Sequence, residues 1–381
     1  MEFTRELQTY LESSQEELKQ LIQALCAIPA PSHHEERRAA FCKAWFEKNG
    51  FQDVSIDAAL NVICPYKVTA GEPVTVFMAH TDTVFPDTKP MPFREENSKF
   101  YCPGVCDDTA NLAVMMICAR YFVKANYKPE GGILFVANSC EEGLGNLKGT
   151  RAIVASYPVR ELVTFDGVTL NRIVNDAVGS HRYQITIKTE GGHSYSAFGN
   201  RNAIAYLAGM INTLYGVKVP QIGNSKTTYN VGLISGGTSV NTIAQEASIL
   251  YEYRSDNVAC LTRMKEIFYS VVAAYRTMGI AVDVELIGER PCAKGVAPEK
   301  HAALIARVED SIRTILGQEP AYVSGSTDCN IPLSLGIPAI GLSACSGRYC
   351  HTREEELDLD SLPIACKLVA HFLCHYFKES L

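Results

Sequence analysis

Val74-Thr75-Val76-Phe77-Met78-Ala79-His80-Thr81-Asp82 is the stretch whose reading decides the fold. Its first six residues are apolar or β-branched and read as a buried strand. The run stops at a histidine and, two places on, an aspartate. Side chains at i and i+2 of an extended segment point the same way, so the imidazole and the carboxylate leave the strand end side by side. One can bind a metal while the other orients it, the usual arrangement behind a metal-bound histidine. On its own the pair is a weak signal, because a histidine near an aspartate at a strand end is more often a surface hydrogen bond. Its meaning depends on what surrounds it.

Outward from this strand, short apolar runs recur at 60–66, 132–139 and 161–165, with a further apolar strand around Ala339-Ile340-Gly341-Leu342. Helical apolar spacing covers 14–27 and 35–49, separated by Ile28-Pro29-Ala30-Pro31-Ser32, with Ser32 as N-cap of the second helix. A third helix is expected over 107–124, capped by Asp107 or Asp108. Strands alternating with helices predict an α/β domain, its mixed, mostly parallel sheet covered by helices on both faces.

The pattern changes near 180. Arg182-Tyr183-Gln184-Ile185-Thr186-Ile187-Lys188 alternates strictly, as a sheet with one wet face does. A helix at 200–215, strands at 227–235 and 247–254, a helix at 257–278 and a strand at 281–287 complete a β-α-β-β-α-β order, that of a ferredoxin-like α+β domain. The expected organisation is one discontinuous domain, 1–179 and 291–381, interrupted by a smaller domain at 180–290.

Composition narrows the function. With 381 residues the chain is long enough for two domains and a large core. A net charge of −7 argues against nucleic acid or an anionic membrane as partner. No apolar run reaches transmembrane length, and Met1-Glu2-Phe3-Thr4-Arg5-Glu6-Leu7 is charged and amphipathic rather than leader-like. Fourteen scattered cysteines with no C-x-x-C pair read as reduced thiols of a cytoplasmic protein. Cys106, Cys140 and Cys350 stand beside acids or a histidine of interest, where small apolar filler is the plain reading and oxidation sensitivity the sharper one.

Five clusters fall where an α/β sheet keeps its active site, at the carboxyl ends of strands. They are His80/Asp82, Asp107/Asp108, Glu141-Glu142, Asp166 and His351. Singly, each has a plain explanation: a helix cap, a solvated turn, a turn dipeptide. Together they supply two histidines and three carboxylates for a pair of zinc ions, with cobalt or manganese fitting the same ligands. The charges of two zinc ions, Asp107, Glu142, Asp166 and a hydroxide sum to near zero, which a buried site tolerates best. Glu141 is then left over as a general base. Gly143-Leu144-Gly145-Asn146-Leu147-Lys148-Gly149 only superficially resembles a dinucleotide loop. There is no phosphate loop and no G-x-S-x-G elbow.

These clusters, in this order and over nearly the whole chain, resemble the dizinc exopeptidase family that contains peptidase T, carboxypeptidase G, the aminoacylases and succinyl-diaminopimelate desuccinylase. Ala79-His80-Thr81-Asp82-Thr83-Val84, Cys140-Glu141-Glu142-Gly143, Gly191-Gly192-His193-Ser194, Gly236-Gly237-Thr238-Ser239-Val240-Asn241 and Gly325-Ser326-Thr327-Asp328 look like its peptidase-T-like branch. The resemblance implies a zinc-exopeptidase-like fold in which Asp107 bridges two metals. His80 and Asp166 complete one, Glu142 and His351 the other. Asp82 orients His80, and Glu141 is the base. It further implies that the inserted domain is a lid and homodimerisation domain and that His193 stabilises the oxyanion. By the same likeness Asn241, Arg254, Gly325 and Ser326 bind substrate. An aspartate at position 166 is typical of the family's aminopeptidases and dipeptidases. A glutamate there is typical of its deacylases and carboxypeptidases. The expected activity is therefore hydrolysis of di- or tripeptides. An N-acyl-amino-acid deacylase and a catalytically silent metal-binding dimer are the alternatives. Ser346-Gly347-Arg348-Tyr349-Cys350-His351 is bulkier than the family's usual Gly-rich loop.

Overall fold

A computed structural model describes residues 3–377. They divide into two compact units, one formed by the stretches up to Ala177 and from Lys294 on, the other by Val178–Ala293. The first is built on an eight-stranded mixed sheet. Its centre is four parallel neighbours: Ile133–Asn138, Val74–His80, Val159–Phe165 and Ala339–Leu342. Val74–His80 and Ile133–Asn138 are buried at every position. Their unbroken apolar runs reflect that environment, since a strand covered on both faces has no wet side to alternate with.

Parallel neighbours need a crossover between them. Helix Asn111–Lys124 lies between the first two strands in sequence and Lys148–Ser156 between the next two. Asn111–Lys124 is buried from Asn111 through Phe122. It is apolar all round because it packs against the Val74–His80 strand and against helices Gln15–Cys26 and Leu362–Cys374. Val62–Tyr66 runs antiparallel to Ile133–Asn138, and Arg172–Ala177 antiparallel to Ala339–Leu342. Because the central strands run the same way, their carboxyl ends share one edge of the sheet. That edge is where His80, Glu141, Glu142 and Asp166 emerge.

Several expectations need correction. Ser32 is not a helix cap: helix Glu36–Lys48 starts four residues later with no side-chain cap, and Ser32 Oγ donates to Asp82 Oδ2 at 2.6 Å. The 107–124 helix is not continuous and neither aspartate caps it. Val105–Ala110 forms a separate wide turn in which Asp107 (φ −109°, ψ 85°) and Asp108 (φ −127°, ψ 17°) leave helical geometry, and the α-helix begins at Asn111. The 14–27 segment is preceded by another helix, Arg5–Ser13, and the two break at Ser14. Ser14 Oγ bonds back to Tyr10 O at 2.8 Å, a side-chain competition that bends helices. Strands Arg172–Ala177 and Ala321–Gly325 were not anticipated. They lie at the outer end of the sheet, and half-exposed strands lack the apolar run that marks the central ones.

A second, four-stranded antiparallel sheet in the same unit joins Gly347–Arg348, Glu356–Asp358, Lys99–Tyr101 and Arg94–Glu96. It carries the turn holding His351. It also brings Glu355 beside the Gly104–Asp107 segment. Gly347 is required there, since a Cβ would lie 2.1 Å from Cys106 Sγ.

Val178–Ala293 is an antiparallel sheet in the order Thr227–Gly236, Glu246–Ser255, Gly179–Lys188, Ala281–Arg290. Buried residues alternate along Gly179–Lys188 and Glu246–Ser255. Tyr183, Ile185, Ile187, Ile249, Tyr251 and Tyr253 form a core with Leu207 and Met210 of helix Ala203–Tyr215 and Phe268 of helix Val258–Thr277. Asn202 and Asn257 cap the two helices, each side chain accepting two backbone N–H groups. Ser180 and Arg290, near the two ends of this unit, are register partners. Among the described residues no helix is long and apolar enough to cross a membrane.

Candidate metal centre

The ligand-type residues converge. His80 ends a fully buried strand, and its Nε2 lies 3.1 Å from Asp107 Oδ1. On the other side, Asp107 Oδ2 lies 3.0 Å from His351 Nε2, which is 3.1 Å from Glu142 Oε1. Donor atoms of His80, Asp107 and Asp166 lie within 4.8 Å of one another, and so do those of Asp107, Glu142 and His351. Asp107 is common to both groups, one oxygen toward each histidine. The same limit also groups His80 with Glu141 and Glu142.

The spacing fits two ions. Ligand atoms roughly 2.0–2.1 Å from a tetrahedral zinc are about 3.3 Å apart. Tight charge-assisted N–H···O bonds close to about 2.7–2.9 Å. The three histidine–carboxylate separations here, 3.0–3.1 Å, lie between the two, at hydrogen-bonding distance and a few tenths of an ångström short of the co-ligand value.

Electrostatics carries the same message. Burial pushes the Asp166 carboxyl well above the usual range, and the Asp107 charge adds to it. Burial raises Glu142 to about 7. Burial acts on Asp107 too, but hydrogen bonds from His351 and His80 outweigh it and hold that carboxyl low. Its bonds to Asp107 and Glu142 raise His351 to about 10. Carboxylates this crowded need positive charge among them.

Other residues hold the centre in place. Asp82 accepts the backbone N–H groups of Glu141 (2.9 Å) and Glu142 (3.0 Å) on its two oxygens. His80 Nδ1 is shared between the Asp82 carbonyl at 3.0 Å and Asp82 Oδ1 at 3.4 Å. Asp82 thus fixes the Glu141–Glu142 turn as well as the imidazole. Glu35 accepts the Cys140 N–H at 3.0 Å and its thiol at 3.2 Å, and burial raises that thiol to about 12. All fourteen cysteines are free, and Cys106 and Cys140 are buried filler in the walls.

Sequence reasoning missed a set of buried polar residues. Glu355 accepts the N–H groups of Gly104 (2.8 Å), Cys106 (2.7 Å) and Asp107 (3.0 Å). Asp108, grouped with Asp107 at the strand ends and otherwise read as a cap, accepts the His80 N–H at 2.8 Å. Asn111 donates to Cys106 O (3.0 Å) and Gly167 O (2.9 Å) and accepts the Ala344 N–H at 2.6 Å, tying three loops. Asp328 accepts from Thr150 and, at 2.6 Å, from Asn138 Nδ2. Only the Gly-Ser-Thr-Asp motif gave any signal for Asp328. Glu355 sits unmarked in an acidic run.

The remaining predicted positions are Gly325, Ser326, His193, Asn241 and Arg254. Gly325 ends strand Ala321–Gly325, and a Cβ there would lie 2.8 Å from Val174 Cγ1, a packing reason for glycine. Ser326 follows it. His193, Asn241 and Arg254 belong to the Val178–Ala293 unit. His193 is exposed, and its Nδ1 accepts backbone N–H groups of Tyr195 (3.3 Å) and Ser196 (3.5 Å), which places the ring proton on Nε2. Asn241 Oδ1 accepts from Ser239 at 2.8 Å. Arg254 pairs with both oxygens of Glu252, at 2.9 and 3.0 Å.

Known proteins share this architecture. A Bacillus subtilis protein described as uncharacterized, YqjE, is 26% identical over 93% of this chain and 95% of its own. The succinyl-diaminopimelate desuccinylase of Bordetella parapertussis is 25% identical over 77% of this chain and 80% of its own. The aminopeptidase PepT of Bacillus cereus superposes with a TM-score of 0.70 at 22% identity, covering 94% of this chain and 97% of its own. The profile of peptidase family M20/M25/M40 matches residues 76–375. With that match and the paired ligand groups around Asp107, the chain belongs to peptidase family M20/M25/M40 and is a metal-dependent hydrolase.

Proposed function

We propose that this protein is a two-zinc exopeptidase that removes the N-terminal residue of di- and tripeptides. The observation that carries the reading is Asp107, poised between two donor groups with Glu141 beside them. In this reading His80 and Asp166 hold one ion, Glu142 and His351 the other, and Asp107 both. When bound, the ions supply Lewis acidity toward the scissile carbonyl and acidity to a water. Glu141, oriented through its own N–H by Asp82, takes the proton of the attacking water and passes it to the leaving amine. His193 offers Nε2–H to the developing oxyanion, a donor from outside the metal plane. Asn241, Arg254, Gly325 and Ser326 hold the peptide.

The inserted unit, one four-stranded antiparallel sheet with two helices, is in keeping with a ferredoxin-like domain, and by the family resemblance we assign residues 180–290 a lid and dimerisation role. The aspartate at position 166 favours peptides over acylated amino acids. The likeness to a desuccinylase keeps an N-acyl-amino-acid substrate as the second reading.

Glu141→Ala tests the chemistry. It should keep both metals and lose about 10²–10⁴-fold in kcat. Near-normal turnover would remove Glu141 from its role. The substrate is tested by a panel of tripeptides, dipeptides and N-acetyl amino acids, and faster cleavage of the acetylated set would overturn the peptide assignment.

A further inference from the structure

Apart from the groups around Asp107 and Glu142, one further set of ligand-type side chains comes together among the described residues. Asp310, on helix Pro298–Leu316, and His371 and His375, at the end of helix Leu362–Cys374, bring one donor atom each within 4.8 Å of one another. The His371-x-x-x-His375 spacing puts both imidazoles on one face of the chain, the pattern by which helices present paired histidines to zinc. The facing helix supplies the carboxylate.

The donor atoms are close enough to share an ion. His375 Nε2 lies 3.2 Å from Asp310 Oδ2, close to the separations of 3.0–3.1 Å at the metal centre. It is longer than the roughly 2.7–2.9 Å of a tight charge-assisted bond. Ser311 Oγ, one residue after Asp310, lies 2.9 Å from His371 Nδ1. A partner on the second nitrogen fixes ring and tautomer, as it does for metal-bound histidines, and directs Nε2 to the group. His371 is fully buried, whereas Asp310 is 51% exposed, so an ion has both a dry floor and a way in.

We propose that Asp310, His371 and His375 form a third metal site, for a borderline divalent cation such as zinc, with solvent as the fourth ligand. It clamps the last helix to Pro298–Leu316 and lies apart from the catalytic residues. With three protein ligands and one carboxylate, against two histidines and three carboxylates for the catalytic pair, it fills last. The competing account is an ion pair between two helices, which needs no metal.

The test uses tag-free full-length protein, stripped with a chelator and titrated with Zn²⁺ alone. Wild type should bind three ions per chain, Asp310→Asn and His375→Ala two each, with peptide hydrolysis unchanged in both. The third equivalent should raise Tm in wild type and not in the variants. Two ions per chain in wild type would mean an ion pair only. Three ions in Asp310→Asn would equally overturn the site. Should His375→Ala fail to fold, Asp310→Asn decides, because its side chain is half exposed. Neither substitution touches Glu141 or its neighbours, so failure here leaves the catalytic reading standing.

Discussion

Glu355 does for the metal centre what no ligand does. Three backbone N–H groups from one turn converge on its carboxylate, and that turn carries Asp107. A glutamine there offers one accepting oxygen and one NH₂, and the NH₂ must face an N–H group. Glu355→Gln should therefore weaken metal binding about 10–100-fold while every ligand is intact, the usual cost of losing a supporting partner. Competition with a chromophoric chelator measures it, and unchanged affinity would show that the turn holds itself. The ligands were legible in the sequence because each ends an apolar run, where a polar side chain has to be explained. Glu355 and Asp108 were not legible in these roles because they bind backbone N–H groups, and those partners have no identity in a sequence. A carboxylate that serves N–H groups looks the same on paper as one that serves water.

Among elements, the central strands were legible because burial on both faces leaves an uninterrupted apolar signature. The turn before Asn111 was not. Ala, Leu, Val and Met continue the helical pattern backwards across Asp107 and Asp108, yet the aspartates face the histidines only by leaving helical geometry. The helices have their own fastening. Arg120, buried on Asn111–Lys124, pairs through both terminal nitrogens with Glu17 of Gln15–Cys26, at 2.5 and 2.7 Å. The Arg120 hydrogen bond lowers the Glu17 pKa, so the contribution is present above the unfolded value near 4.5 and is lost as pH falls through the folded one. Glu17→Gln should cost about 1–2 kcal/mol at pH 7, below the roughly 3–5 kcal/mol of a fully buried pair because Glu17 is half exposed to solvent. Urea unfolding at pH 7 and again below pH 4 checks this. The gap between wild type and variant should narrow in acid, and a gap independent of pH would assign the loss to packing.

At the scale of the molecule, Val178–Ala293 leaves strand Thr227–Gly236 at the edge of its sheet, with Leu233 and Ile234 more than half exposed. An exposed apolar edge is a template for pairing with another chain. If residues 180–290 form the dimer interface, Leu233→Asp with Ile234→Asp should convert a dimer to a folded monomer, read by light scattering with circular dichroism as the control. A monomeric wild type would remove the interface altogether.

The register pairing of Ser180 with Arg290 has a consequence for how such a chain could arise. Closing a flexible loop costs more the longer it is, though only by about 0.6 kcal/mol per doubling. A folded insert whose first and last strands are neighbours spares its host even that. It meets the host as a turn would, its two ends already side by side. A whole domain can therefore enter between Ala177 and Lys294 with little more entropic burden than a hairpin. Acquiring or exchanging the inserted unit is then a local event in the history of the host fold, not a redesign of its core.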